Sequence, residues 1–339
     1  MQTSEIDNMK ITKRDFLKLS GCAAAGIAGA APAEAEPQNP SSASAKMPTQ
    51  NPPATSMQAS QPEEPLDMWE RETNRVTPQM YSAYLRDGNT RGLFALEKLE
   101  ESFEKMLRGI AKTKVEGAPA VWSVYNMGYV VKTKEALFSI DLVHRRAAEL
   151  APRLDFELVT HNHGDHFRAD LYSAMNGAGK TVISNFLDNY GAADWRKGGQ
   201  NWMQNGGYTR AKKTFKIKDV EIRTSLIDHN NYLVDFTTAF EIRVGNFIIY
   251  HTGDSGRGSE TKVGTTWGRP DLWLFFPGCG IDVAEAVRKV QPKRIVFGHL
   301  WELGHKTGRL KAAKIRRSKR EADPLCPEVS VAFWGDRIM

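Results

Sequence analysis

The spacing of apolar positions changes along this 339-residue chain, and it predicts an α/β arrangement. Apolar residues recur at steps of three and four from Leu93 to Ile110, which is typical of an amphipathic helix. Apolar and β-branched runs between residues 120 and 142 are then divided at 126–128 and 132–135, the pattern of consecutive strands joined by turns. The run FELVT that follows predicts a short buried strand.

The second half repeats this pattern. Strands are predicted over Val220–Ile227, Thr237–Val244 and Phe247–Tyr250, and the apolar runs DLWLFF and RIVFG predict two more. A helix with a candidate N-cap at its first residue is predicted between these two runs, over Asp282–Val290. Residues 272–297 are therefore predicted to form a β-α-β unit. Strand-rich blocks with interspersed helices indicate sheets covered by helices, and they argue against a helical bundle or an all-β fold.

The N-terminus has the layout of a cleaved export signal. The basic pair Lys13–Arg14 precedes a weakly apolar stretch, and small residues occupy Ala33 and Ala35. The order basic pair, acidic residue, Phe-Leu-Lys resembles the twin-arginine signal, so the twin-arginine translocation machinery is a predicted partner. Cleavage after Ala35 would make residues 1–35 a signal peptide and place the protein in the periplasm or another extracytoplasmic space. Lipidation of Cys22 within LSGC and an uncleaved tail are the alternatives.

Composition divides the rest of the chain into a linker and one domain. Residues 36–66 are rich in Pro, Ser and Gln without periodic apolar positions, so we predict a disordered linker. The remaining 67–339 suffice for a single domain with a substantial core, in which 67–115 is predicted to be an N-terminal helical extension. No stretch of the mature chain approaches the roughly 18 apolar residues of a membrane span. We predict unpaired thiols at Cys279 and Cys326, with one disulfide as the alternative.

Charge adds one local feature. The chain has 46 basic and 40 acidic residues, a net charge of +6, and eight basic residues without an acidic one fall within residues 306–320. The simpler interpretation of this basic run is a solvated helix face, and the alternative is a patch for phosphates or anionic lipid headgroups. Nucleic acid would also suit basic residues, but an exported protein meets little intracellular RNA, so we expect no nucleic-acid partner.

Candidate chemistry concentrates in LVTHNHGDHFRAD, where four possible metal ligands lie within six residues directly after an apolar run. Imidazole and carboxylate together suit zinc or another first-row metal. Three further candidates follow apolar strands later in the chain. The predicted ligands are His161, His163, Asp165, His166, His229, Asp254 and His299.

Several neighbouring residues keep alternative interpretations. His305 could replace His299 as a ligand, although only His299 directly follows an apolar strand. Asp228 and His251 adjoin predicted ligands and could orient them, or they could be ordinary polar residues at strand ends. Two segments rich in aromatic residues, Asn and Gly could shape a pocket or form surface loops: 125–128 and 195–208.

The order His-x-His-x-Asp-His, then a single His, then Gly-Asp, then Gly-His resembles the metallo-β-lactamase superfamily over roughly residues 120–339. The stretches THNHGDH and YHTGD are most similar to the branch that contains the ascorbate-6-phosphate lactonase and the N-acyl-phosphatidylethanolamine phospholipase D enzymes. The resemblance implies an α/β fold, the four-layer αββα sandwich, and two divalent metal ions, with zinc expected and manganese or iron as alternatives. It implies one ion on His161, His163 and His229, the other on Asp165, His166 and His299, and Asp254 bridging them.

The chemistry expected of such a site is hydrolysis. Two cations about 3.5–4 Å apart would share a water, lower its pKa toward about 7 and present hydroxide to a carbonyl or phosphorus. Asp165 could accept a hydrogen bond from that hydroxide and orient it, which makes Asp165 the candidate catalytic residue. We expect a small-molecule or lipid-like anionic substrate with an ester, lactone or phosphodiester bond. A di-iron redox enzyme of the same fold and a non-catalytic metal-binding protein are the alternatives.

Overall fold

The computed structural model describes residues 64–184, 214–305 and 309–339. The predicted signal peptide, residues 36–63 of the predicted linker, the 195–208 segment and the first three residues of the basic run lie outside the described residues.

The described residues form helices and strands in alternating blocks. None of these helices combines the length and the apolar character that crossing a membrane requires. The α-helices are α1 (Pro65–Asn74), α2 (Pro78–Asp87), α3 (Phe94–Lys112), α4 (Ala169–Gly177), α5 (Val283–Val290) and α6 (Ala312–Ala322). The strands are β1 (Ala120–Tyr125), β2 (Gly128–Lys132), β3 (Leu137–Ile140), β4 (Phe156–Val159), β5 (Thr181–Ser184), β6 (Thr214–Ile217), β7 (Val220–Ile227), β8 (Thr237–Val244), β9 (Phe247–His251), β10 (Leu272–Phe275), β11 (Arg294–Phe297) and β12 (Glu328–Val331). Short 3₁₀ helices span Ala147–Leu150 and Ser259–Thr261.

The predicted elements are confirmed with small shifts at their ends. The amphipathic helix is α3, β7 and β8 have the predicted bounds, and β9 runs one residue further than predicted, to His251. Strands β10 and β11 pair in parallel on either side of α5, as the β-α-β prediction requires. Asp282 caps α5, because its side chain accepts a hydrogen bond from the Glu285 backbone N–H at 2.9 Å. Helix α1 begins two residues before the predicted start of the domain.

The strands form two sheets. The first has the order β1-β2-β3-β4-β5, and the second has the order β12-β11-β10-β9-β8-β7-β6. Strands β3 to β5 run parallel, as do β9 to β12. The remaining neighbours pair antiparallel. Strands β7 and β9 therefore point the same way, since each is antiparallel to β8.

One apolar core lies between the two sheets and another lies beneath the helices. Successive side chains of a strand point to opposite faces, so most of the strands contribute to both cores. The core between the sheets includes the fully buried Val121, Tyr129, Phe138, Ile222, Phe240 and Leu274. The second core joins the outward faces to helices α3, α5 and α6, and it includes Trp122, Val130, Phe103, Phe275, Val287 and Ile315. The layers run helix, sheet, sheet, helix, and the predicted four-layer αββα fold is confirmed.

The N-terminal helices pack on this sandwich through an aromatic cluster. Trp69 of α1 stacks on Trp301 with 5.1 Å between ring centroids, and it meets Trp334 edge-on at 5.0 Å. Arg309 donates hydrogen bonds to the backbone carbonyl oxygens of Thr73, in the last turn of α1, and of Val76, just beyond it. Because Trp301 follows the predicted ligand His299 by two residues, α1 buttresses a segment that leads to the predicted metal site.

Helix α6 carries most of the basic run, and ion pairs occupy several of its cations. Arg316 lies 2.7 Å from Asp67 of α1, and Arg317 lies 2.8 Å from Glu321 one turn along the helix. These pairings favour the interpretation of the basic run as a solvated helix face.

We expect Trp69→Ala to lower the free energy of unfolding by about 3–5 kcal/mol, because it removes a large buried aromatic side chain from the cluster around Trp301. Equilibrium urea unfolding followed by circular dichroism measures the change. Tyr232→Ala is the control: Tyr232 is 93% exposed, and its loss should change stability by less than about 0.5 kcal/mol. Equal unfolding midpoints for the two variants would contradict the packing role of Trp69.

Candidate metal centre

Four strand ends supply the predicted ligands. The loop after β4 carries four of them, and the segments after β7, β9 and β11 carry one each. These last three strands point the same way, so their carboxyl ends share one edge of the second sheet, and β4 brings its loop to that edge from the first sheet. The structure brings all seven predicted ligands together there.

The seven side chains form two adjoining groups, and within each group the candidate ligand atoms lie within 4.8 Å of one another. In the first group, Nε2 of His161 lies 3.1 Å from Nδ1 of His163. The first group is His161, His163 and His229, and the second is Asp165, His166, Asp254 and His299.

Asp254 lies between the two groups and faces both. Its Oδ2 lies 3.3 Å from Nε2 of His229, whereas its Oδ1 lies 3.1 Å from Nε2 of His166 and 3.2 Å from Nε2 of His299. Asp165 completes the second group, with Oδ2 3.0 Å from Nε2 of His299. A single carboxylate thus presents one oxygen to each group, the placement that a bridging ligand needs.

These residues fit bound divalent cations. A tetrahedral ion with bonds of 2.0–2.1 Å to nitrogen and oxygen has ligand atoms about 3.3 Å apart, and the separations above scatter around that value. Several buried atoms of the cluster also lack a hydrogen bond of good geometry to any described residue, which is uncommon in native proteins. Those atoms are Oδ1 of Asp165, Nε2 of His166, Nε2 of His229, Oδ1 of Asp254 and Nδ1 of His299.

Burial keeps two of the imidazoles neutral. Desolvation lowers the pKa of His161 well below its usual value. Desolvation, together with the neighbouring His229 and His166, lowers the pKa of His163 to about 4. The neutral imidazole is the form that binds a metal ion, so this pair is ready to coordinate near neutral pH.

The second group holds charge instead. Burial alone would lower the pKa of His299, but the carboxylates of Asp254 and Asp165 raise it to about 10. Burial likewise opposes protonation of His166, yet the same two carboxylates and Asp141 raise its pKa well above the usual value. Conversely, burial would raise the pKa of both carboxyl groups, and the two imidazolium charges hold it well below the usual range. Protons in this group occupy the places that a cation would take.

Asp141, at the end of β3, orients the ligand loop. Its carboxylate lies 2.8 Å from Nδ1 of His166 and accepts hydrogen bonds from the backbone N–H and the hydroxyl of Thr160, both at 2.7 Å. The Thr160 hydroxyl also lies 3.0 Å from Nδ1 of His161. These contacts occupy Nδ1 of both imidazoles and leave Nε2 for the cluster. Asp141 and Thr160 are not among the residues that the sequence predicts for the site, although Asp141 follows an apolar strand just as the predicted ligands do.

Asn126 contacts the second group from the turn between β1 and β2. Its Nδ2 lies 3.0 Å from Oδ2 of Asp165 and 3.1 Å from Nε2 of His299. Asn126 belongs to the 125–128 segment, for which the sequence left a pocket or a surface loop as alternatives. It is the member of that segment whose side chain hydrogen-bonds to predicted ligands.

His305 lies outside both groups. Its Nδ1 lies 3.1 Å from Oε2 of Glu302, and these two side chains form a separate group with Asp165. His299 is buried and contacts Asp165 and Asp254 directly. The geometry therefore favours His299 over His305 as the ligand.

Asp228 and His251 support the cluster through the backbone and not through the ligand side chains. The carboxylate of Asp228 accepts hydrogen bonds from Lys262 Nζ at 2.6 Å and from the backbone N–H of Asp235 at 2.8 Å. Nδ1 of His251 accepts a hydrogen bond from the backbone N–H of Gly253 at 3.2 Å, and Nε2 lies 3.2 Å from the Met127 carbonyl oxygen.

Left-handed backbone conformations gather at this site. A non-glycine residue at positive φ costs roughly 1–2 kcal/mol, and such strain persists where the surroundings fix it, often at functional sites. Four non-glycine residues at or beside the cluster have φ between 46° and 57°: Asn126, Asp141, Cys279 and His299.

Curated relatives are metal-dependent hydrolases by name. A UPF0173 metal-dependent hydrolase from Heliobacterium modesticaldum is 31% identical over 162 residues, which cover 43% of this chain and 65% of that protein. One from Caldivirga maquilingensis is 26% identical over 195 residues, which cover 51% of this chain and 82% of that protein. The chain thus spans just under two thirds of the length of the Heliobacterium protein. No protein-family model matches the chain.

A metallo-β-lactamase fold protein from Bacillus subtilis is similar among solved structures, with a TM-score of 0.42 and 16% identity over 66% of this chain and 95% of that one. The names of the curated relatives support the metal-dependent hydrolase that the predicted superfamily resemblance implies.

The two groups should bind metal with different pH dependence. His161 and His163 are neutral between about pH 6 and pH 8, so their ion displaces no proton from either imidazole, and its affinity should change less over that range than the affinity of the second ion. His299, with a pKa of about 10, is protonated throughout, so the second ion must displace a proton. Its affinity should therefore rise about tenfold per pH unit for each proton displaced. Two-step zinc titration by calorimetry at several pH values checks this, and equal pH dependence of both steps would contradict it.

Proposed function

We propose that this chain, whose ligand motifs resemble those of the metallo-β-lactamase superfamily, is a hydrolase that depends on two divalent metal ions and cleaves an ester, lactone or phosphodiester bond. The observation that carries the proposal is the position of Asp254, whose two oxygens face two separate sets of imidazoles at 3.1–3.3 Å. A mononuclear site has no need of a carboxylate that is shared in this way.

The residues divide the work of such a site. His161, His163 and His229 would hold one ion, and Asp165, His166 and His299 the other, with Asp254 shared. When bound, two divalent ions polarise a carbonyl or phosphoryl oxygen and lower the pKa of a water molecule between them.

Asp165 has a further role open to it. Its Oδ2 contacts His299 and Asn126, whereas its Oδ1 is buried without a hydrogen bond to a described residue. Oδ1 can accept a hydrogen bond from the attacking water and fix the direction of its lone pair. Asn126 would hold Asp165 in that orientation through the 3.0 Å contact with Oδ2.

The loop that carries His229 supports a substrate with an apolar portion. Tyr232 and Val234 lie three and five residues after His229, and they are the exposed large apolar side chains of the described residues, at 93% and 59%. An anionic reacting group would be attracted to the two cations, and an apolar tail could cover these two side chains. This combination suits the small-molecule or lipid-like anionic substrate inferred from the sequence.

We expect Asp254→Ala to bind well under two metal ions per chain and to lose at least about 100-fold in hydrolysis, because both ions lose a ligand. His229→Ala and His299→Ala should each weaken mainly one ion. Asp323→Ala, which removes a carboxylate of α6 paired with Lys319, is the control and should retain both metal and activity. Elemental analysis of purified protein and assays on a panel of lactones and phosphodiesters measure the two effects.

Three other outcomes would overturn the proposal or move the protein to another class. Full metal occupancy and undiminished hydrolysis in Asp254→Ala would overturn the two-metal proposal. A wild type that binds metal, hydrolyses nothing on the panel and reduces oxygen with iron bound would support the di-iron alternative, and metal binding without any turnover would support a binding protein.

We also propose that the chain is exported by the twin-arginine route. The support is the sequence of residues 1–35, with Lys13–Arg14 before a weakly apolar stretch and small residues at Ala33 and Ala35. Mass spectrometry of the native protein should find Glu36 as the N-terminus in an extracytoplasmic fraction. An intact Met1 would contradict export with cleavage, and a diacylglyceryl group on Cys22 would establish the lipoprotein alternative.

A further inference from the structure

We infer that the thiolate of Cys279 is a ligand of the metal ion held by His229, an inference that rests on the metal-dependent function proposed above. Cys279 lies in the loop PGCGI between β10 and α5. Its Sγ and the ligand atoms of His229 and Asp254 all lie within 4.8 Å of one another. The predicted ligand set did not include this residue.

The backbone of Cys279 is fixed in a strained conformation that points to a role for its side chain. Its φ is +49°, a region that favours glycine. Its two neighbours, Gly278 and Gly280, show that the loop accepts glycine. The Cys279 side chain is therefore present although glycine would fit this backbone angle with less strain. Backbone strain of this kind is common at functional sites.

The same loop is locked to the segment that carries His229. The carbonyl oxygen of Cys279 accepts a hydrogen bond from the backbone N–H of Arg257 at 3.0 Å. Gly256 fits between the two loops with no room for a side chain, because a Cβ there would lie 1.8 Å from the His229 carbonyl oxygen and 2.9 Å from that of Cys279. The thiol and the imidazole are thus held in register by backbone contacts.

One atom beside the thiol lacks a partner that a cation would supply. Nε2 of His229 is buried and makes no hydrogen bond of good geometry with a described residue. The other free thiol provides a contrast: Sγ of Cys326 lies 3.3 Å from the Glu328 carbonyl oxygen and has no place in a candidate metal group of the described residues.

A thiolate ligand also selects among metals. On binding, the Cys279 S–H bond breaks, the sulfur electron pair forms the bond to the metal, and the proton passes to the solvent. Thiolate with imidazole favours zinc, whereas carboxylate-rich sites suit manganese. The ion held by His229 should therefore be the more zinc-selective of the two.

The test uses the full chain, stripped of metal with a chelator and reloaded with Co²⁺. Visible d–d bands report that the ion is bound, and a near-ultraviolet sulfur-to-cobalt charge-transfer band reports that a thiolate is a ligand. The wild type and the control Cys326→Ser should have both sets of bands. Cys279→Ser should keep the d–d bands, lose the charge-transfer band and bind one zinc ion about tenfold or more weakly. Cys279→Gly removes the thiol without backbone strain and should behave in the same way even if the serine variant folds poorly.

The outcomes separate this inference from the proposed function. Visible bands without a charge-transfer band in the wild type would overturn the thiolate ligand and leave the two-metal hydrolase intact. A charge-transfer band that survives in Cys279→Gly and vanishes in Cys326→Ser would likewise overturn it. No cobalt binding by the wild type at all would overturn the metal-dependent function itself.

Discussion

The burial of two carboxylates, Asp165 and Asp254, among five imidazoles is the constraint on which the rest of the site depends. Removing a carboxylate from water costs several kcal/mol unless a positive charge compensates for it. Here the compensating charge is either a proton on His166 and His299 or a divalent cation. Compensation by protons and compensation by a cation both require the imidazoles and carboxylates to lie close together. The cluster therefore stays assembled only if the surrounding backbone holds these side chains in place.

The αββα sandwich supplies that rigidity. The ligands lie two to seven residues beyond the ends of strands whose side chains fill two apolar cores, and a short connection to a packed strand leaves little freedom. Asp141 and Thr160 fix two imidazole rings by hydrogen bonds. Gly256 permits a close approach of two loops that any side chain would prevent. The same packing holds His299 at a positive φ, despite the conformational free energy that this backbone angle costs.

The sequence alone predicts the local parts of this arrangement and not the long-range ones. Period-two and period-3.6 patterns located β7, β8 and α3 because those patterns depend on which face of an element is buried. The rule that polar residues after apolar strands converge located the seven candidate ligands. The sequence did not predict a contact with the cluster for Asp141, Asn126 or Cys279. These residues reach the cluster from three different loops, and only the packing of the two sheets brings those loops close to it. The stacking of Trp69 on Trp301 escaped for the same reason, since more than 200 residues separate the two rings.

The two halves of the cluster are chemically unlike, and this difference follows from how closely each imidazole approaches the two carboxylates. The imidazoles of His161 and His163 sit where burial dominates, so they are neutral and present nitrogen lone pairs without competition from protons. His166 and His299 sit beside both carboxylates, where attraction outweighs burial and protons compete with any metal. Asp254 couples the halves, because a cation that draws one of its oxygens also weakens the field that keeps the second pair protonated. Occupation of the first position should therefore ease the release of protons from the second, so that the carboxylate which bridges the ions also links their binding.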